Sequence, residues 1–266
     1  MIRVIVCGAA GRVGGQVVES LSQVSDIETV GLVDVAAIPA GLADSFAPDA
    51  VRSDDLGSAV DRSSPDVVVD FTTASAARGN IAVAIERKVS PVVGTTGLSD
   101  ADIETIREQS RDAGVGVFIA PNFAVGAVVL MRLSEIAASH FDHVEIIELH
   151  HDRKIDAPSG TALHTARMII DARGESAVDV PTELFALDGV RGGDFSGIKI
   201  HSVRLPGLVA HQVVIFGGIG QTLSIRHDSM SRESFVPGVI LAIRRVRGLG
   251  GLVVGLDKLL FDDLSN

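Results

Sequence analysis

The sequence has no tryptophan, no tyrosine and one cysteine, Cys7. The lone cysteine excludes an internal disulfide framework and fits the reducing cytoplasm. Without Trp or Tyr, platforms for stacking nucleobases would have to come from ten phenylalanines. Positive charge is also scarce: 23 Lys and Arg stand against 34 Asp and Glu, a formal net charge of −11. That balance argues against a nucleic-acid partner. No apolar run reaches membrane-spanning length without charge, so no membrane association is expected. No basic segment precedes the first apolar run at Ile2, so no signal peptide is expected. There is no H-E-x-x-H pattern, and no metal-ligand set is expected. Internal repeats and low-complexity tracts are absent too.

What is present is a globular chain of 266 residues with 46% apolar content, enough for one large or two modest domains. Ile2-Arg3-Val4-Ile5-Val6-Cys7 reads as a buried strand, followed by Gly8-Ala9-Ala10-Gly11-Arg12-Val13-Gly14 and an amphipathic helix from Gly15 to Val24. The glycines fall as G-x-x-G-x-x-G rather than G-x-G-x-x-G. The physical purpose is the same: a tight turn and close backbone approach bring a helix N-terminus to a pyrophosphate. A second strand, Glu28 to Val33, ends in Asp34, about 20 residues past the glycine loop, where a carboxylate suits a ribose 2′-hydroxyl. These parts together point to a dinucleotide site. Asp34 repels a 2′-phosphate and favours NADH, whereas Arg12 near the helix start could pair with phosphate. The reading leans to NADH without excluding NADPH.

From Val35 to Ser64 the pattern is broken by Pro39, Gly41, Pro48 and Gly57, and reads as loop with one or two helical turns. Strand and helix then alternate: a strand Asp66–Phe71, a helix Ala74–Lys88, a strand Pro91–Val93, a helix capped by Ser99, and a strand Val115–Ile119. This alternation predicts a doubly wound parallel sheet, a Rossmann-type α/β domain. Ligands sit beyond the carboxyl ends of such strands. The turns there are Phe71-Thr72-Thr73, Gly94-Thr95-Thr96 and Pro121-Asn122-Phe123, candidates to border the nicotinamide half of the cofactor.

After an apolar helix, Ala124 to His140, the order changes to three strand-like runs, 198–205, 211–216 and 222–227, with a glycine hairpin turn at 217–220. These predict a second, α+β domain with a mixed or largely antiparallel sheet. Asp188 to Gly197 reads as a mobile surface loop. A last helix, Ser231 to Val246, and the tail are expected to return to the first domain. The expected division is 1–123 with 241–266, and 124–240.

The chemistry-bearing stretch is Glu148 to Ala162, E-L-H-H-D-R-K-I-D-A-P-S-G-T-A. A strand, Val144–Leu149, runs into it and a helix, Ala162–Ile170, runs out, capped by Ser159 or Thr161. A helix start with cations nearby is a ready anion site. Adjacent residues point to opposite sides of a strand end, so His150 and His151 are poor partners for one metal ion. Two imidazoles and an amine beside such a helix start point to proton transfer on an anionic small molecule.

These motifs, with Val93-Gly94-Thr95-Thr96-Gly97, Ala120-Pro121-Asn122-Phe123, Arg204, Gly207, His211 and Ser224-Ile225-Arg226-His227, resemble the 4-hydroxy-tetrahydrodipicolinate reductase (dihydrodipicolinate reductase) family over nearly the whole chain. The resemblance implies NAD(P)H-dependent reduction of a cyclic dicarboxylate in lysine and diaminopimelate synthesis by a cytoplasmic homotetramer, paired through the sheet of the second domain. It implies His150 as the catalytic proton donor/acceptor, Lys154 as the catalytic proton donor, and His151, Gly160 and Thr161 as substrate-carboxylate contacts. Cofactor contacts would be Gly8, Ala9, Ala10, Gly11, Arg12, Val13, Gly14, Asp34, Gly94, Thr95, Thr96, Pro121, Asn122, Phe123 and Ala124. Members often carry a further histidine just before the lysine; here that position is Arg153, which cannot act as an acid near neutral pH. The rival readings are another two-domain dehydrogenase, of aspartate or homoserine type, and a non-catalytic dinucleotide sensor. The histidine–lysine–Ser-Gly-Thr run argues against both.

Overall fold

A computed structural model describes residues 1–261; the last five residues of the expected returning segment lie outside the described residues. In chain order the elements are β1 (Ile2–Cys7), α1 (Arg12–Leu21), β2 (Ile27–Val33), α2 (Ala40–Phe46), β3 (Val51–Ser53), α3 (Leu56–Ser63), β4 (Val67–Asp70), α4 (Ala74–Glu86), β5 (Ser90–Val93), α5 (Asp100–Ala113) and β6 (Val117–Ile119). There follow α6 (Val125–Ala138), β7 (His143–His150), α7 (Gly160–Arg173), β8 (Gly193–Phe195), β9 (Ile198–Arg204), β10 (Ala210–Gly218), β11 (Gln221–Ser229), α8 (Val236–Arg245), β12 (Leu252–Val254) and α9 (Leu256–Phe261).

The chain forms two compact units, Met1–Phe123 with the chain from Arg232 on, and Ala124–Ser231. The return to the first unit therefore begins at Arg232, ahead of the expected 241. Val239, Ala242 and Ile243 of α8 are fully buried, and α8 packs on α1, which explains why the whole helix belongs there.

In the first unit every strand pairing is parallel, in the order β12-β6-β5-β4-β1-β2-β3. Strands buried on both faces read as unbroken apolar runs. Val4 to Cys7 and Val67 to Val69 are all 0% exposed. On one side α3 packs Leu56, Ala59 and Val60 against Ile5, Cys7 and Val68, while Ala77, Ile81 and Ile85 of α4 meet Val93, Val117 and Ile119. Between β1 and β4 the strand order reverses, the place where doubly wound sheets open a crevice at their carboxyl ends.

The stretch 35–64, expected as loop with one or two helical turns, holds two short helices, α2 and α3, and adds the strand β3. Asp55 caps α3, its Oδ1 accepting from Ser58 N–H at 2.7 Å. The helix closes on Ser64 in the left-handed conformation. β3 is three residues long and carries only a register with β2, so its identity is set by pairing rather than by its own pattern.

The second unit is a mixed sheet in the order β11-β10-β7-β9-β8, with β7 and β9 parallel and the other pairs antiparallel. Val144, Ile146 and Glu148 of β7 are buried, and the residues between them are half-buried. The run 188–197, expected as a loop throughout, contributes the edge strand β8. Gly192 is required there, since a Cβ would lie 2.6 Å from the Ile200 carbonyl oxygen. The expected helix from Ser231 begins instead as a 3-10 turn, Arg232–Phe235, before α8.

Candidate active site

Period-two geometry places Glu148 and His150 on one face at the carboxyl end of β7, and its register sets Ser202 and Arg204 of β9 beside them. Glu148 is completely buried. Its Oε2 lies 2.5 Å from His150 Nδ1. Arg204 forks onto both carboxylate oxygens, at 2.8 Å and 2.7 Å, and Ser159 N–H donates to Oε1 at 3.2 Å. Burial alone would push the Glu148 carboxyl up. Hydrogen bonds from His150, Arg204 and Ser202 overcome it and hold the group at about 2, so it is ionised at neutral pH.

The loop after β7 carries the other candidates. His151 is half-buried, and its Nδ1 is buried with no hydrogen-bond partner among the described residues. Such an orphaned atom is costly unless something meets it. Lys154 bonds both oxygens of exposed Asp156, at 2.8 Å and 2.9 Å, and its ammonium holds the Asp156 carboxyl below the usual range. Arg204 also donates to the Asp156 carbonyl at 2.8 Å, tying this loop to β9. Arg153 is exposed. Ser159, not Thr161, is the cap of α7: its hydroxyl accepts from Ala162 N–H at 3.1 Å. Gly160 opens the helix with empty space where a Cβ would stand. One loop thus gathers His150, His151, Lys154, Gly160 and Thr161.

His211 gives a contrast on the same sheet. Its Nδ1 is 2.7 Å from Asp228, but its Nε2 already accepts from Val209 N–H at 3.2 Å. His150 Nε2 has no such partner among the described residues.

In the first unit the glycine loop is shaped by contact. A Cβ on Gly14 would lie 2.1 Å from the Gly8 carbonyl oxygen, and one on Gly8, at φ +78°, 2.6 Å from the Phe71 carbonyl oxygen. Helix α1 starts at Arg12, three residues earlier than expected, because Gly14 must pack as a helical residue against Gly8. Its first turn has no side-chain cap. Asp34 binds the loop directly: Oδ2 accepts from Ala10 N–H and Oδ1 from Ala36 N–H, each at 2.9 Å. An uncapped helix start with side chains excluded by glycine fits a pyrophosphate. Ala9 is buried, and Val13 is half-buried beside exposed Arg12.

Asp70, unassigned in the sequence reading, ties the neighbouring strand ends together. This buried carboxylate accepts from Thr72 N–H (2.9 Å), Thr72 Oγ1 (2.7 Å), Thr95 Oγ1 (3.1 Å) and Asn80 Nδ2 (2.7 Å). Gly94 admits the Phe71 ring, 2.1 Å from where a Cβ would be, and Thr96 beyond it is exposed. Phe123 is 2% exposed, edge-on to Phe71 and Phe118, so its ring serves packing. Pro121 is exposed, Asn122 half-buried and Ala124 buried. Burial, with Asp70 and Asp34 nearby, pushes the Cys7 thiol well up, which keeps it protonated and inert.

Two family descriptions cover the chain: "Dihydrodipicolinate reductase, N-terminus" matches residues 2–123, and "Dihydrodipicolinate reductase, C-terminus" matches residues 126–260. The chain belongs to the dihydrodipicolinate reductase family. The 4-hydroxy-tetrahydrodipicolinate reductase of Halalkalibacterium halodurans is 46% identical over 263 residues, 98% of this chain and 100% of that protein. That of Moorella thermoacetica is 47% identical over 262 residues, 97% of this chain and 98% of the relative. A dipicolinate-bound dihydrodipicolinate reductase from Paenisporosarcina sp. TG-14 superposes with a TM-score of 0.87 at 39% identity, over 97% of this chain and 99% of that one. Members of this family are NAD(P)H oxidoreductases, and this chain carries the family's Rossmann-type sheet and second mixed sheet.

Proposed function

We propose that this chain is a 4-hydroxy-tetrahydrodipicolinate reductase, which uses NADH or NADPH to form tetrahydrodipicolinate in lysine and diaminopimelate synthesis. The observation that carries the reading is the single loop joining His150, His151, Lys154 and the start of α7, beside a buried carboxylate on His150. Bound nicotinamide cofactor supplies the hydride. The rest of the step falls to residues of this loop.

His150 is the group that gives or takes a proton, since imidazole works near neutral pH and its Nε2 is open. Lys154 is the second proton donor, and it must leave Asp156 to serve. His151, through its unpartnered Nδ1, and the backbone of Gly160 and Thr161 hold the substrate carboxylates. Arg153 adds attraction for a dianion without proton chemistry. The cofactor contacts of this reading are Gly8 to Gly14, Asp34, Gly94 to Thr96 and Pro121 to Ala124. Asp34 favours NADH, because a 2′-phosphate beside a carboxylate is repelled. A cytoplasmic enzyme agrees with one buried cysteine. A homotetramer paired through the second sheet agrees with the half-buried Ile147, Leu149, Val203, Val213 and Ile215 on one sheet face.

The test is oxidation of NADH and NADPH by the purified protein with 4-hydroxy-tetrahydrodipicolinate. Turnover with NADH, and NADH affinity at least equal to that for NADPH, is expected. No turnover would refute the activity. An NADPH preference well beyond tenfold, about 1.4 kcal/mol, would refute the role given to Asp34.

A further inference from the structure

Glu148 carries an unusual set of contacts for a residue outside the list of proton-transferring groups. It is fully buried, yet charged, at the strand end that presents His150. Its carboxylate has no freedom to turn. Arg204 occupies both oxygens, and Ser159 N–H takes Oε1. Arg204 is itself held by the carbonyls of Val203 and Asp156. An ionised carboxylate only accepts hydrogen bonds, so the Nδ1 facing it must carry the proton. Nε2 is then the nitrogen left to exchange one. For stability alone, a buried ion pair is no better than apolar side chains of the same volume. The expense of burying this pair is explained if it fixes a ring.

We propose that Glu148, clamped by Arg204, is the positioning residue of this site: it holds His150 in its Nδ1–H tautomer and leaves Nε2 as the ring's proton-exchanging atom. The proposal rests on the assignment of His150 as the proton-transferring group. The proton on Nδ1 stays there throughout; transfer is made and reversed at Nε2. Among the described residues, nothing else facing the pair performs this task. Ser202 and Arg204 from β9 and the Ser159 amide at the start of α7 bind Glu148, and Lys154 and Asp156 of the loop bind each other. Gln212, opposite Glu148 on β10, gives its amide to Thr165 at 2.8 Å.

Two measurements test this. Nitrogen-15 NMR of the imidazoles in the unmodified, ligand-free protein should show neutral His150 as the Nδ1–H tautomer; the Nε2–H tautomer would overturn the proposal. Steady-state kinetics with NADH and 4-hydroxy-tetrahydrodipicolinate should then compare Glu148→Gln, His150→Gln and the double variant. Glu148→Gln should lower kcat on the order of 10²-fold with KM and NADH affinity little changed. Its effect should vanish when His150 is already glutamine, because residues acting through one another are not additive. Losses that multiply in the double variant would assign Glu148 a purely structural part and overturn the proposal. If Glu148→Gln does not fold by circular dichroism, the tautomer in the unmodified protein decides. If the unmodified protein fails to turn over, the functional reading falls and the catalytic half of this proposal with it, while the NMR result still tests the ring's orientation.

Discussion

Replacing Glu148 by glutamine mimics its protonated form, and the structure fixes what that should do to stability. The carboxyl is held at about 2 in the folded protein against an ordinary 4.5. Each factor of ten in proton affinity is worth about 1.4 kcal/mol, so the ionised form contributes about 3 kcal/mol. The sign follows from the depressed value. The stabilisation is complete above the unfolded pKa and is lost as the pH falls through the folded one. At pH 7 the full amount separates wild type from Glu148→Gln. By linkage, less than half, about 1.4 kcal/mol, remains near pH 3. The glutamine also offers the Arg204 fork one acceptor oxygen where the carboxylate offered two, and breaking one side of a buried pair costs about 3–5 kcal/mol. Urea unfolding of both proteins at pH 7 and near pH 3, by linear extrapolation, reads the difference directly. A gap of about 3 kcal/mol or more that narrows in acid is expected. A gap that is the same at both pH values would refute the assignment of an ionised, ion-paired Glu148.

Gly14→Ala should lower both Tm and NADH affinity, because the new methyl would sit 2.1 Å from the Gly8 carbonyl oxygen; Gly15→Ala, whose Cβ stands 3.5 Å from the nearest atom, should leave stability equal or up to about 1 kcal/mol higher. Thermal melts and fluorescence titration with NADH check the pair, and equal behaviour would remove the steric account of the loop. Arg153→Ala should raise KM for the dianionic substrate more than it lowers kcat, since its charge attracts ground and transition states alike. A fall in kcat with KM unchanged would give Arg153 a role in the chemical step instead.

The parallel sheet was legible because its strands are buried on both faces and read as Ile-Val runs, with glycine turns and capped helices between. Asp55 with Leu56, Ala59 and Val60 offered the same helix signal at 55–63, but Pro48 ahead of it and Gly57 within it hid it. β3 and β8, three residues each, have no pattern of their own and exist because β2 and β9 have free edges. The loop from His150 to Thr161 was legible as a candidate site because its residue types are concentrated in sequence. The pairing of Glu148 with Arg204 was not, because it depends on register between strands whose paired residues lie 56 positions apart. Asp70 likewise looked like a strand end, since three of its partners sit on separate turns and a helix.

The central claim is that the loop after β7 is the catalytic centre while dinucleotide binding belongs to the glycine loop of the first unit. Steady-state turnover of 4-hydroxy-tetrahydrodipicolinate beside NADH titration, for wild type and His150→Gln, tests it most directly. A positioned acid is worth roughly 10²–10⁴-fold, so turnover should fall by that factor with NADH affinity unchanged. Full turnover in the variant, or NADH binding lost as severely as activity, would contradict the account.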